Sequence, residues 1–255
     1  MTPKPLIQWP SERKSMTLIV GTLCANGMLF CADTEENTPL GNKAVKKMFS
    51  LHGESWHMFI GAAGFGPLCD VAIKRIAVEA KAKENEFLAS HETIIGAEIA
   101  SIYDKYIHYS LPANVHYERQ ISIVIGIVDK NRRRGVLYRT YEEILQPVSD
   151  PYACAGAGKG IADYYLGSLF RDFRPPAYSG CVPRIHEAER LLQFVMKQAK
   201  ESVGGVGGNT NTLSFHFDPP QSVGDGTFGL GWDAKQPNLP DLIEHFWLDD
   251  PKPRQ

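Results

Sequence analysis

Apolar residues run almost unbroken through positions 16–23, stop at Asn26-Gly27, and resume over 28–32 before Asp33. Two apolar runs, the first rich in β-branched residues, around an Asn-Gly pair predict a β-hairpin with a type I′ turn. A second pair of runs, 45–51 and 56–63, flanks His52-Gly53-Glu54-Ser55 and reads the same way. After Gly64-Phe65-Gly66-Pro67 the spacing lengthens. Apolar positions recur at Val71, Ile73, Ile76 and Ala80, then at Ile94, Ile95, Ile99, Ile102, Tyr103 and Tyr106, predicting two amphipathic helices. Strand patterning returns over 120–129, 135–140 and 152–155, and helical patterning over 161–170 and 185–199. On the last helix Ile185, Ala188, Leu191, Leu192, Val195 and Ala199 share one face. A final strand spans 210–217. Helix pairs set between hairpins predict a layered α+β domain in which sheets pack on each other and helices cover the outside. Residues 1–15 have no period and read as a flexible leader; a Gly/Pro-rich tail follows the last strand.

Composition narrows the function classes. A chain of 255 residues fits one large domain, and 27 Lys+Arg against 29 Asp+Glu leave a net charge of −2. Such a balance gives no general electrostatic reason to bind nucleic acid or anionic lipid. The one basic cluster, KNRRR at 130–134, lies between two strand-like runs and reads as a solvated hairpin loop. Apolar runs such as 121–128 are far shorter than a membrane span, so no membrane association is expected. The five cysteines form no C-x-x-C pair and no signal peptide is evident, which points to a reduced, cytoplasmic compartment. Cys24 and Cys31, within strands, read as small buried hydrophobes.

Several glycine motifs carry no ligand chemistry. ACAGAGKG at 153–160 has Ala153 where a phosphate loop needs its first glycine, and Gly160 where it needs Ser or Thr. GAGKG also lacks the acidic residue of a dinucleotide site. No histidine pair has metal-ligand spacing, so neither metal nor cofactor is expected. ESVGGVGG at 201–208 reads as a helix C-cap and turn.

The stretch 16–47 is different. Thr17 opens a strand, Asp33 closes the next, and Lys46-Lys47 opens a third, with hairpin geometry returning Asp33 to Thr17. Taken alone, the three could be a β-former, a turn residue and an edge-strand charge. The runs TLIVGTLCANGMLFCADTEE, KAVKKMFSL and GAAGFG, however, resemble the start of a proteasome β-type subunit, one of the N-terminal nucleophile hydrolases. The likeness continues through the paired helices, the GAG turn and the VGG turn, to about residue 217.

The resemblance implies a four-layer αββα sandwich over residues 17–220, a leader over 1–16 and a tail over 221–255. It implies Thr17 as nucleophile, with Asp33 and Lys47 as its catalytic partners. The oxyanion hole falls at the backbone of Gly64, with Gly61 as the alternative. Glu35, Asn37 and residues near Met58 would line the substrate site, and Glu35 would favour a basic side chain. Peptides or unfolded proteins are the implied substrates and a homo-oligomeric ring the implied assembly, with no ATPase partner named.

The chemistry explains these residue types. A threonine hydroxyl needs a base, and a free α-amino group, with a reference pKa of about 7.7–8.0, supplies one on the same residue. Thr17 must therefore be exposed as an N-terminus. Starting translation at Met16 would allow this by methionine removal; starting at Met1 requires loss of 16 residues. Other family features are replaced. Ala157 stands for the serine of a Gly-Ser-Gly turn, and Val203 and Val206 stand where an aspartate and a serine are usual, with Glu201 and Ser202 nearby. Two other readings therefore stay open: a non-catalytic subunit of the same fold, and an amidase acting on a small molecule.

Overall fold

A computed structural model describes residues 17–38, 41–108, 120–171 and 182–217; the expected leader 1–16 and tail 221–255 lie outside them. In chain order the elements are β1 (Ile19–Cys24), β2 (Gly27–Asp33), β3 (Glu35–Thr38), β4 (Gly41–Ala44), β5 (Met48–His52), β6 (Trp56–Gly64), α1 (Gly66–Ala82) and α2 (Phe87–Tyr103). A π-helical turn (Asp104–His108) then precedes β7 (Ile121–Asp129), β8 (Arg134–Tyr141), β9 (Ile144–Pro147), β10 (Tyr152–Ala155), α3 (Lys159–Arg171), α4 (Ile185–Ser202) and β11 (Thr210–His216).

The strands form antiparallel sheets in the orders β10-β1-β2-β11 and β5-β6-β7-β8-β9, with β3-β4 a separate ribbon. Period-2 alternation sends each strand's residues to two faces. On β6, Trp56, Met58, Ile60 and Ala62 pack with α1 and α2, while Phe59 and Ala63 face the other sheet. On β1 and β2, Ile19, Met28, Phe30 and Ala32 meet them between the sheets, while Val20, Leu29 and Cys31, with Leu18 just before β1, pack with α3 and α4. The expected layering of sheets inside and helices outside is thus carried by three apolar clusters. The Phe30 ring fills a slot that only glycine leaves open: a Cβ on Gly21 or on Gly126 would come within 2.7 Å of it.

Two local expectations are corrected. In the first hairpin Cys24 pairs with Gly27, so the loop residues are Ala25 and Asn26, and neither has the positive φ that a type I′ turn requires. Asn26 serves a tertiary role instead. Its Oδ1 accepts the Ile185 N–H at the start of α4 (2.9 Å), and its carbonyl accepts the Phe217 N–H. Residues 45–47 are not strand, because the Val45 N–H turns to the Thr34 carbonyl (2.8 Å) and bends the chain toward β2. Strands β3, β4 and β9 are additions, and the polar sequences of the first two, EENT and GNKA, carry no apolar alternation. The KNRRR segment forms the β7–β8 turn with Asn131, Arg132, Arg133 and Arg134 exposed. Among the described residues no helix is long and apolar enough to cross a membrane.

Candidate active site

Thr17 lies two residues before β1 and is 1% exposed. Its carbonyl accepts the Gly158 N–H at 3.2 Å, from the turn that joins β10 to α3. That approach needs glycine at position 156, where φ is +94° and a Cβ would lie 2.1 Å from the Thr17 oxygen. The next residue, Leu18, exchanges two hydrogen bonds with Asp33. The Asp33 N–H donates to the Leu18 carbonyl (3.2 Å), and the Leu18 N–H donates to Asp33 Oδ1 (2.8 Å). The β1–β2 register, Ile19 opposite Ala32, makes this meeting inevitable.

Lys47 occupies the other side of the same carboxylate, with Nζ 2.9 Å from Oδ2, and also donates to the Glu35 carbonyl. Asp33 Oδ2 further accepts the Gly207 N–H at 3.3 Å. Three donors therefore surround one buried carboxylate, which is how a low-dielectric site keeps an anion. Burial holds the Lys47 ammonium below the usual lysine range, and its attraction to Asp33 opposes that shift. Such an ammonium favours deprotonation of a hydroxyl or amine placed beside it.

The strand geometry separates the two oxyanion candidates. Met48 lies opposite Gly61, and the Ala62 N–H donates to the Lys47 carbonyl at 3.1 Å. Since successive N–H groups alternate in direction, that of Gly64 points to the same side as that of Ala62, one step past the end of β5. The Gly61 N–H points the other way, toward β7, where Gly61 pairs with Val124. Gly64 has φ +120°, and a Cβ there would meet the Gln120 carbonyl oxygen at 2.3 Å.

The substrate-lining expectations fare less evenly. The Glu35 carboxylate lies over Gly207, where a Cβ would meet its Oε2 at 2.1 Å, and the Glu35 N–H donates to the Gly207 carbonyl. Alternation puts Glu36 on the other face of β3, with Oε1 3.0 Å from the Cβ position of Gly66, at the first turn of α1. Glu36, next to the helix start that follows Gly64, was missed because the polar EENT run gives no sign of which face points inward. Asn37 pairs with Asn42 in the β3–β4 ribbon, and its side chain lies outside the described residues. Met58 is fully buried in the core under α1 and α2, so it does not line the site.

Around Thr17, Asp33 and Lys47, Ala157 is exposed, and Val203 and Val206 pack toward the α3–α4 core. Glu201 and Ser202 are exposed, with Glu201 paired to Lys197 and Gln198. Neither replaces the missing polar partners. Thr34 takes a part that sequence reasoning overlooked: its Oγ1 accepts the Asn209 N–H (2.9 Å) and its N–H donates to the Asn209 carbonyl (3.0 Å). Only the β2–β11 register brings these residues together, so no local motif could reveal it. Among the described residues, no group of three or more His, Cys, Asp or Glu is arranged to hold a metal ion.

With this geometry the chain can be set beside known structures. An Anbu (Gly−1) mutant from Hyphomicrobium sp. strain MC1 superposes with a TM-score of 0.59 at 17% identity, over 79% of this chain and 83% of that one. Anbu from Pseudomonas aeruginosa, described as a helical assembly, gives 0.58 at 13% identity over 78% and 81%. Anbu, the ancestral β-subunit, from Yersinia bercovieri gives 0.58 at 11% identity over 79% and 84%. The fold is that of Anbu, a proteasome-like N-terminal nucleophile hydrolase. At these identities the likeness extends to the fold alone. No protein-family model matches the sequence, and no curated protein matches it significantly.

Proposed function

We propose that this chain is a threonine peptidase subunit of the proteasome-like class, with the four-layer αββα sandwich of N-terminal nucleophile hydrolases. The observation that carries the reading is the Asp33 carboxylate, whose two oxygens join the backbone beside Thr17 to the buried Lys47 ammonium. Removal of residues 1–16 frees the Thr17 amine. The Thr17 hydroxyl attacks the amide carbon of a peptide and passes its proton to that amine, under the field of Lys47. The Gly64 N–H receives the negative oxygen of the tetrahedral intermediate. Collapse breaks the C–N bond, the leaving amine takes the proton, and the acyl group stays on Thr17 as an ester. Water, deprotonated by the Thr17 amine, attacks the ester carbonyl, and the amine returns the proton to Thr17 Oγ1 as the acid product leaves.

Glu36, rather than Glu35, is the side chain that gives the site a preference for basic residues. By analogy with the helical Anbu assembly, the chain self-associates, and an open helical arrangement is favoured over the closed ring expected from sequence. The replacements at Ala157, Val203 and Val206 favour a second reading, in which the subunit is structural and Thr17 is never acylated. Mass spectrometry after incubation with an epoxyketone, which bonds to both the hydroxyl and the amine of an N-terminal threonine, separates the two. A chain beginning at Thr17 and carrying the adduct supports the peptidase. A chain that begins at Thr17 and stays unlabelled supports the structural subunit.

A further inference from the structure

Lys200 lies in the last turn of α4, is half-buried, and directs its ammonium to the turn that leads to β11. Nζ donates to the Gly208 carbonyl at 2.9 Å and to Thr210 Oγ1 at 2.7 Å. Both acceptors adjoin groups that hold Asp33. Gly207, next to Gly208, donates its N–H to Asp33 Oδ2, and Thr210 is the residue paired with Asp33 across β2 and β11. Burial lowers the Lys200 pKa, while Cys31, Asp33 and Glu35 act on it in the opposite direction, so the ammonium lies in the field of the catalytic carboxylate. A long, flexible side chain is held in this way only if its hydrogen bonds offset its loss of rotamer freedom and solvation.

Thr34 Oγ1 also anchors the turn, by accepting the Asn209 N–H, and Lys200 brings an ammonium to it from α4. Val203 and Val206 contribute apolar contacts, while Glu201 and Ser202 face solvent. What reaches Asp33 from this side is a backbone N–H, and the direction of that N–H depends on where the turn sits. We propose that Lys200 is a positioning residue for Asp33, holding the 203–209 turn so that the Gly207 N–H and the Lys47 ammonium share one carboxylate oxygen. It stands in for the polar side chains replaced by Val203 and Val206, and rests on the peptidase reading of the same site. Charge and hydrogen bonding both contribute: the ammonium satisfies two acceptors and adds a second cation to the surroundings of Asp33.

The test uses the assembled protein beginning at Thr17, with two readouts. In the first, epoxyketone labelling is followed as a function of probe concentration, giving a maximal rate and a half-saturating concentration. Lys200→Met is expected to lower the maximal rate by roughly ten- to a hundredfold, because misplacement by a fraction of an ångström has that effect, while half-saturation stays within about twofold. Lys200→Arg is expected to recover most of the rate, and the neutral donor of Lys200→Gln only part. In the second readout, amide hydrogen exchange at Gly207 is expected to accelerate by about tenfold in Lys200→Met, with global exchange in the β7 core unchanged. A Lys200→Met protein with unaltered Gly207 exchange overturns the proposal, as does equal loss of rate in the Met and Arg variants. If wild type takes no probe but Gly207 exchange responds as expected, the peptidase reading fails and the structural tie between Lys200 and the Asp33 turn stands.

Discussion

Lys47 and Asp33 form an ion pair of 2.9 Å whose two side chains are 6% and 0% exposed. Removing two charges from water on this scale is costly, and a pair so deep is weak evidence of stability in itself. On the proposed peptidase reading, its place near Thr17 serves the chemistry instead. Asp33→Asn keeps an acceptor for the Leu18 N–H but leaves the Lys47 ammonium buried without its partner. The expected loss is about 3–5 kcal/mol in urea unfolding, with labelling of Thr17 abolished. Adding Lys47→Met should return most of the stability and none of the labelling. A single variant as stable as wild type would contradict this account of the pair.

The approach of the 156–158 turn to Thr17 depends on a backbone conformation that favours glycine. In Gly156→Ala the new methyl group would meet the Thr17 carbonyl oxygen, and φ would remain near +94° only at a cost. The expected result is roughly 2–4 kcal/mol less stability, by thermal or urea unfolding, and slower labelling of Thr17. Gly160→Ala is the control, since a Cβ there meets nothing within 4 Å.

His57 sits at the end of the intersheet core, 4.7 Å between ring centroids from Phe59 and 4.9 Å from Phe215. Burial, with the Lys130 and His52 charges nearby, pulls its pKa down to about 4 from 6.5. Below pH 6.5 the unfolded chain takes up a proton that the folded chain refuses until about pH 4. This residue therefore makes stability fall as the pH is lowered through that window and leaves it unchanged above. The ring is only partly buried, so the loss is on the order of 1–2 kcal/mol. In His57→Phe the urea midpoint should depend less on pH between 6.5 and 4, and an identical pH slope in both proteins would refute the assignment.

The placement of Glu36 predicts selectivity. A peptide library offered to the Thr17 form should be cut preferentially after Lys or Arg, and Glu36→Gln should reduce that preference by about tenfold with little change toward neutral residues. Glu35→Gln, altered over Gly207 on the opposite face of β3, should leave it nearly intact. If Glu35→Gln removes the preference instead, the two faces of the strand have been wrongly assigned.

Much of the fold is legible along the chain because its longer elements have strong periods. The predicted faces of α2 and α4 are buried as expected at Ile94, Ile95, Ile99, Ile102 and Tyr103, and from Ile185 to Ala199. The Asp33–Leu18 contact is equally legible, since hairpin register is local. What the chain conceals is whatever depends on partners far apart. Asn26 looks like a turn residue and is a bridge to α4; Lys200 looks like a solvated helix-end charge and reaches the Asp33 turn. The choice of Gly64 over Gly61 requires the directions of successive N–H groups, which in turn require strand pairing. The β3–β4 ribbon is hidden because its polar strands have no hydrophobic face to mark them.

The hydrogen bond from Gly207 to Asp33 spans 174 positions. Strand β11, which completes the sheet beside β2, follows α4 in the chain, so the carboxylate can be fully surrounded only when nearly the whole described chain has been made. Pairing across such a separation is entropically slow and comes late. During synthesis, then, a ribosome would carry Thr17 for most of translation without the completed surroundings of Asp33. On the proposed peptidase reading, competence arrives only at the end of folding, a timing that spares neighbouring nascent chains.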